Sequence, residues 1–285
     1  MRMYDHEYYM KMFRSMCVER RMTKLLYPLR DYIIQVARFD PSKGIPDVIR
    51  SYVKARQILD DMIPGSKAPQ LAIVGHGAID DPDATIIYDQ AVDLLEEDNI
   101  APFASDICLM RLPASDQCTP IFHKTKDKNS RLMTVLNSLL SNAKIALQLS
   151  LREGFEVKVS EALHKGIPVI ATNAGGIPLQ IRDGKSGFLV DVHDTDAVAN
   201  HIVNLWTDKD LYKRISDFAR QSVTDEVSTV GSAASWMWMA SKLAKGDKLR
   251  MKAAWVNDLM REECGEFYTE GEPKLPRQGI NLQGE

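Results

Sequence analysis

The feature that most constrains this chain is an alternation of short apolar or β-branched runs with segments whose apolar residues recur at intervals of three and four. YIIQVA (32–37) reads as a strand and stops at RFDPSKG, a polar turn carrying Pro41 and Gly44. IPDVIRSYVKARQILDDM (45–62) has helical spacing, with Pro46 suited to its first turn. The pairing then repeats. Strands are expected at 71–75, 106–110, 143–150, 168–172 and 186–190, and helices at 84–97, 136–143 and 155–165. Strands alternating with helices make βαβ units, so the fold class is α/β: a Rossmann-like parallel sheet with helices on both faces. Beyond Asp194 only helical periods remain, so C-terminal helices follow the sheet.

This pattern divides the chain. Residues 1–30 hold six of the 13 methionines and no turn punctuation before Pro28, and they read as an amphipathic helical lead-in. Residues 31–207 form the Rossmann-like domain, residues 208–264 the trailing helices, and residues 265–285, with Gly271, Pro273, Pro276 and Gly279, an irregular tail. The stretch 118–134 has lysines at 124, 126 and 128 and no period, and reads as an exposed loop insertion.

Composition removes several function classes. A chain of 285 residues with 45% hydrophobic and 26% charged residues can bury a core, and no run approaches a membrane span. The net charge of −3 argues against a protein that binds nucleic acid by neutralising phosphates. Cys17, Cys108, Cys118 and Cys264 show neither zinc-ligand spacing nor a disulfide framework. The opening MRMYDHEYYM lacks an apolar signal region, and a cytoplasmic location is expected. No Asp-x-Asp pair is placed for a metal, and Asp80-Asp81-Pro82 reads as a turn, so neither metal nor cofactor is expected beyond a substrate.

Ligands of open parallel sheets bind beyond the carboxyl ends of the strands. The turn after the first strand places Arg38 and Lys43 ahead of a helix, where an anion is favoured by fixed cations and free N–H groups; two solvated surface charges are the plainer alternative. In LREGFEVKVSEALHKG (151–166), Glu153 lies in a strand-to-helix turn and Glu161 about two turns up the helix. N–H groups of Gly154, Phe155 and Glu156 would face the same anion, and Glu153 could accept from sugar hydroxyls. Alternatively, Glu153 and Glu156 complement the helix dipole and Glu161 is a solvated face. Gly175 and Gly176 permit close backbone approach to a ligand, or simply make a tight turn. Gly75-His76-Gly77 lacks a full dinucleotide fingerprint, and His76 reads as a loop histidine.

Glu153 and Glu161 form E-x7-E within REGFEVKVSEALHKGIPVIATNAGGIP, which resembles the donor-site signature of retaining GT-B glycosyltransferases. With IIQVARFDPSKGIPDVI, the chain is similar to the C-terminal half of the fungal trehalose phosphorylase and trehalose synthase family, from about Tyr8 onward and outside 118–134. That resemblance implies the donor-binding half of a two-domain enzyme: Arg38 and Lys43 on the donor phosphates or inorganic phosphate, Glu153 on the transferred glucose, Gly154 to Glu156 on sugar and phosphate. It also implies Glu161 on the ribose of a nucleotide donor, and Cys108 to Arg111, Met110 included, against the base. The expected donors are glucose 1-phosphate, phosphate or a nucleotide glucose, and the reaction partners trehalose or glucose. The acceptor domain is missing from such a half, so a separate N-terminal domain or a second copy is an expected partner, docking on exposed apolar surface. A non-catalytic sugar-phosphate-binding module is the alternative.

Overall fold

The computed structural model describes residues 3–64, 67–76, 83–112, 128–249 and 255–274. Six parallel strands, β1 (Tyr32–Val36), β2 (Gln70–His76), β3 (Ile107–Leu112), β4 (Ile145–Gln148), β5 (Val169–Thr172) and β6 (Gly187–Val190), lie in the order β3-β2-β1-β4-β5-β6. This is the doubly wound order, with its switch point between β1 and β4.

Side chains on successive strand residues point to opposite faces, and both faces are dry. On one, Tyr32, Ile34, Val36, Val74 and Met110 pack beneath α1 (Met3–Glu19), α4 (Lys128–Asn142) and α5 (Val157–His164). On the other, Ile33, Leu71, Ile73, Leu147 and Ile170 meet α2 (Ile45–Met62), α3 (Asp83–Leu94) and α6 (Thr195–Thr207). Helices α7 (Lys209–Ser222), α8 (Thr229–Ala244) and α9 (Val256–Cys264) follow. Burial on both faces explains why the strands read as unbroken apolar runs. Gln35 and Gln148 interrupt two of them, and both are buried.

The α/β expectation and the strand positions hold. Helix α2 matches its expected span residue for residue, because Gly44 takes a left-handed φ of 58° just ahead of it and Pro46 fits the first turn. Two local expectations fail. The N-terminal helix stops at Glu19, not near Pro28: Arg21 takes φ 55° and Met22 N–H returns to the Cys17 carbonyl, closing the helix with neither glycine nor proline. Helix α4 begins at Lys128, so residues 128–134 are helical and not loop. The remainder of the expected insertion, 118–127, lies outside the described residues, as does Cys118. Cys17 and Cys108, 91 positions apart in sequence, meet as free thiols with sulfurs 3.9 Å apart. Among the described residues no helix is long and apolar enough to cross a membrane.

Candidate functional site

The two strands flanking the switch point each feed one loop into the same crevice. After β1, Asp40 accepts from the N–H and hydroxyl of Ser42, at 2.8 and 2.6 Å, and sets a single 3-10 turn over Pro41–Lys43. The Lys43 carbonyl is then held by Gln35 Nε2 at 2.8 Å, which aims the side chain along the carboxyl edge of the sheet. After β4, the chain passes through Glu153 and Gly154 to Glu156, which caps α5 by accepting from Lys158 N–H at 3.1 Å. Gln180 clamps this entry. Its Oε1 accepts from Glu156 N–H at 3.1 Å and its Nε2 donates to the Glu156 carbonyl at 2.9 Å.

The two loops meet at one ammonium. Lys43 Nζ donates to Glu153 Oε2 and, at 2.9 Å, to Glu156 Oε2, while Gln148 Nε2 donates to the same Glu156 oxygen at 3.2 Å. Burial alone would lower the Lys43 pKa, but the hydrogen bonds and charges of the two carboxylates outweigh it and raise the value. Burial also pushes Glu153 up, yet its bonds to Lys43 and to its neighbour hold it below the usual carboxylate range. Glu156 differs. Burial raises it, and Lys43 only partly offsets this. Three charged side chains of net charge −1 therefore share the crevice, with Glu153 the ionised partner and Glu156 the more readily protonated one.

The expected site residues take the following places. Lys43 is not a solvated surface charge: it is 8% exposed, because two carboxylates from a distant loop fold over it. Arg38 does not join the cluster: its side chain is 58% exposed and it pairs with Asp40 at 3.5 Å. The Glu156 N–H, expected to face a ligand, is occupied by Gln180. Gly154 N–H turns to the carboxylate of Glu153 at 3.2 Å, while Phe155 is exposed at the rim. Glu161 pairs with Lys158 at 2.7 Å on the helix face. The side chain of Met110 is buried in the core. Arg111 is bonded to Thr85 Oγ1 at 3.1 Å, and its carbonyl accepts from Arg20.

Gly175 and Gly176 do allow a close backbone approach, but to the protein itself. A Cβ on Gly175, at φ 56°, would stand 1.6 Å from the Glu153 carbonyl oxygen, and one on Gly176 would stand 2.0 Å from that of Gly154. The glycine turn thus props the loop that carries Glu153. Gly175→Ala is expected to lower stability by about 1–3 kcal/mol, from the left-handed backbone and the displaced loop. Gly154→Ala, with nothing within 4 Å of its Cβ, should leave the urea midpoint unchanged.

Gln35, Gln148 and Gln180 were not singled out from the sequence. A signal existed for the first two, since a glutamine inside an otherwise apolar buried strand must find partners.

Comparison with known proteins places this crevice in a family context. The family model for "Glycosyl transferases group 1" matches residues 128–222, which include the loop after β4 and α5. Trehalose phosphorylase of Pleurotus pulmonarius is 53% identical over 284 residues, covering 99% of this chain and 36% of that protein. The chain is homologous to a segment of the fungal trehalose phosphorylases. It spans about a third of the length of these curated relatives. Trehalose synthase of Pyrococcus horikoshii is 33% identical over 196 residues, covering 69% of this chain and 40% of that one. Among solved structures, an Anabaena protein in complex with UDP and glucose superimposes with a TM-score of 0.54 at 17% identity, over 84% of this chain and 53% of that one. The fold is thus the Rossmann-like fold of GT-B glycosyltransferases.

Proposed function

We propose that this chain is the donor-binding half of a retaining glucosyltransferase of trehalose metabolism. The reaction would be phosphorolysis of trehalose to glucose and glucose 1-phosphate, its reversal, or transfer from a nucleotide glucose. The observation that carries this reading is the meeting of Lys43, from the loop after β1, with Glu153, from the loop after β4, at the switch point of the sheet. A cation there stabilises the leaving phosphate while the adjacent carboxylate accepts from sugar hydroxyls, and an acceptor attacks from the face that phosphate vacates. Such catalysis is electrostatic and needs no carboxylate nucleophile.

In this reading Arg38 swings from Asp40 to the outer phosphate oxygens and Glu161 leaves Lys158 for the ribose of a nucleotide donor. Gly154 and Phe155 line the sugar, and the backbone of Met110 and Arg111 lies beside any base. The acceptor side of the cleft comes from another domain or a second copy, and the assembly works in the cytoplasm. Support for such a partner comes from α8, which leaves Val230, Trp236, Met237 and Leu243 exposed. A second reading is a binding module without turnover, since half a cleft cannot position an acceptor.

The test is calorimetric titration of the purified chain with glucose 1-phosphate and with UDP-glucose, beside single-turnover glucose release from trehalose plus phosphate. Binding without release supports the module; release supports the enzyme. Glu153→Gln should weaken glucose 1-phosphate about tenfold, as one charge-assisted bond to the sugar is lost, while inorganic phosphate binds at least as well as before. Equal losses for both ligands would remove Glu153 from the sugar subsite.

A further inference from the structure

The Lys43 crevice poses a problem of charge that the proposed reading leaves open. Lys43 already holds two carboxylates, Glu153 and Glu156. Bringing a phosphoryl dianion to the same ammonium would put three negative groups around one positive one in a partly buried site. Glu153 can turn outward to sugar hydroxyls, because its contacts besides Lys43 are the exposed N–H of Gly154 and the carboxyl of Glu156, and no backbone clamp holds its side chain in place among the described residues. Glu156 cannot turn away. One oxygen caps α5 at Lys158 N–H, the other accepts from Gln148 and Lys43, and the residue's own backbone is gripped at both ends by Gln180.

The groups facing Glu156 come from three directions. Lys43 approaches from the turn after β1, Glu153 from the loop after β4, and Gln148 from β4 itself. The Lys158 ammonium on its own helix is directed to Glu161. Among the described residues, the cation that faces Glu156 is therefore the one the phosphate needs. A fixed carboxylate sharing Lys43 with a phosphate oxygen repels it, unless a proton lies between the two oxygens. Inorganic phosphate and sugar monophosphates carry a titratable oxygen near neutrality and can hold that proton. A diphosphate linked at both ends, to nucleoside and sugar, has no such oxygen.

We propose that Glu156 is the specificity-determining residue of the phosphate site. Its fixed carboxylate admits a phosphoryl group together with one proton, which selects inorganic phosphate and sugar monophosphates over nucleotide-diphosphate sugars. The raised proton affinity of the buried carboxyl agrees with this. The inference rests on the donor-site reading above and decides between its two donor classes.

The experiment titrates the full chain with inorganic phosphate, glucose 1-phosphate and UDP-glucose at pH 7.5, in two buffers of different ionisation enthalpy. The parent should take up close to one proton on binding glucose 1-phosphate, and should prefer it to UDP-glucose. Glu156→Gln should abolish the uptake and narrow that preference at least tenfold. Should the variant fail to fold, the parent decides alone: affinity for sulfate, a dianion with no titratable oxygen near neutrality, must fall as pH rises from 6 to 8. Binding without proton uptake, an unchanged preference in the variant, or a flat sulfate profile overturns the role of Glu156 and leaves the donor site standing. Failure of the parent to bind any of these ligands overturns the donor site and this inference together.

Discussion

Asp106→Asn is expected to lower unfolding stability at pH 7 by about 2–4 kcal/mol, with donor binding by the folded fraction unchanged. Asp106 closes the short 3-10 segment ahead of β3, at the end of the sheet away from the crevice. Its carboxylate receives Arg30 Nη1 at 2.7 Å and Nη2 at 2.9 Å, and Arg56 Nη1 at 2.7 Å. Arg30 also donates to the Ala68 carbonyl, and Arg56 to the Pro69 carbonyl and the Tyr52 hydroxyl. One carboxylate thus ties together the chain entering β1, β2 and β3, and the middle of α2. The substitution leaves Arg30, largely buried, with a neutral partner, and Arg56 with Asp60 as its remaining carboxylate at 3.1 Å, and the lost compensation sets the size of the destabilisation. Burial raises the Asp106 pKa, but the two arginines outweigh it and hold it below the usual range. A depressed folded value means the stabilisation is present above the unfolded carboxylate pKa, about 3.9, and is lost as pH falls through the folded one. Urea denaturation should show the gap between parent and variant at pH 7 and its narrowing at pH 3. Coincident curves at pH 7 would show that the network contributes nothing.

That network illustrates what the sequence made legible. The strands and α2 could be read because their determinants are local: apolar runs, Gly44 and Pro46. The end of α1 could not, because Arg21 adopts a left-handed conformation that neither glycine nor asparagine announces. The candidate crevice was half legible. Lys43 and Glu153 stood out as residues at strand ends, and a rule of sheet topology brought their loops together. Their mutual neutralisation was hidden, because it pairs positions 110 and 113 apart in the chain. A lysine in a polar turn looks solvated until the carboxylates that cover it are known. For the same reason Arg38, which looked equivalent to Lys43, is exposed while Lys43 is not.

This difference separates the two cations by experiment. Lys43→Met keeps the aliphatic stem and removes the charge, and should weaken glucose 1-phosphate and inorganic phosphate at least 100-fold, the loss of a charge-assisted contact in a partly buried site. It should also cost about 1–3 kcal/mol of stability at pH 7, because Lys43 is buried between two carboxylates. Without the ammonium, only neutral donors remain, Gly154 N–H on Glu153 and Lys158 N–H with Gln148 on Glu156, and burial and mutual repulsion outweigh them, so the folded pKa values are expected to rise above the unfolded ones. Groups raised in this way leave stability intact below the unfolded pKa and erode it as pH climbs through the folded one. The deficit of Lys43→Met should therefore be small at pH 4 and full by pH 7. Arg38→Ala, by contrast, should lower phosphate affinity several-fold while unfolding stability stays within about 0.5 kcal/mol of the parent at either pH. Calorimetric affinities beside urea curves at pH 4 and 7 distinguish the two. A Lys43→Met protein that bound glucose 1-phosphate like the parent would place the phosphate elsewhere on the sheet, whereas lost binding with a pH-independent stability deficit would mean that Lys43 acts on the ligand without neutralising the two glutamates.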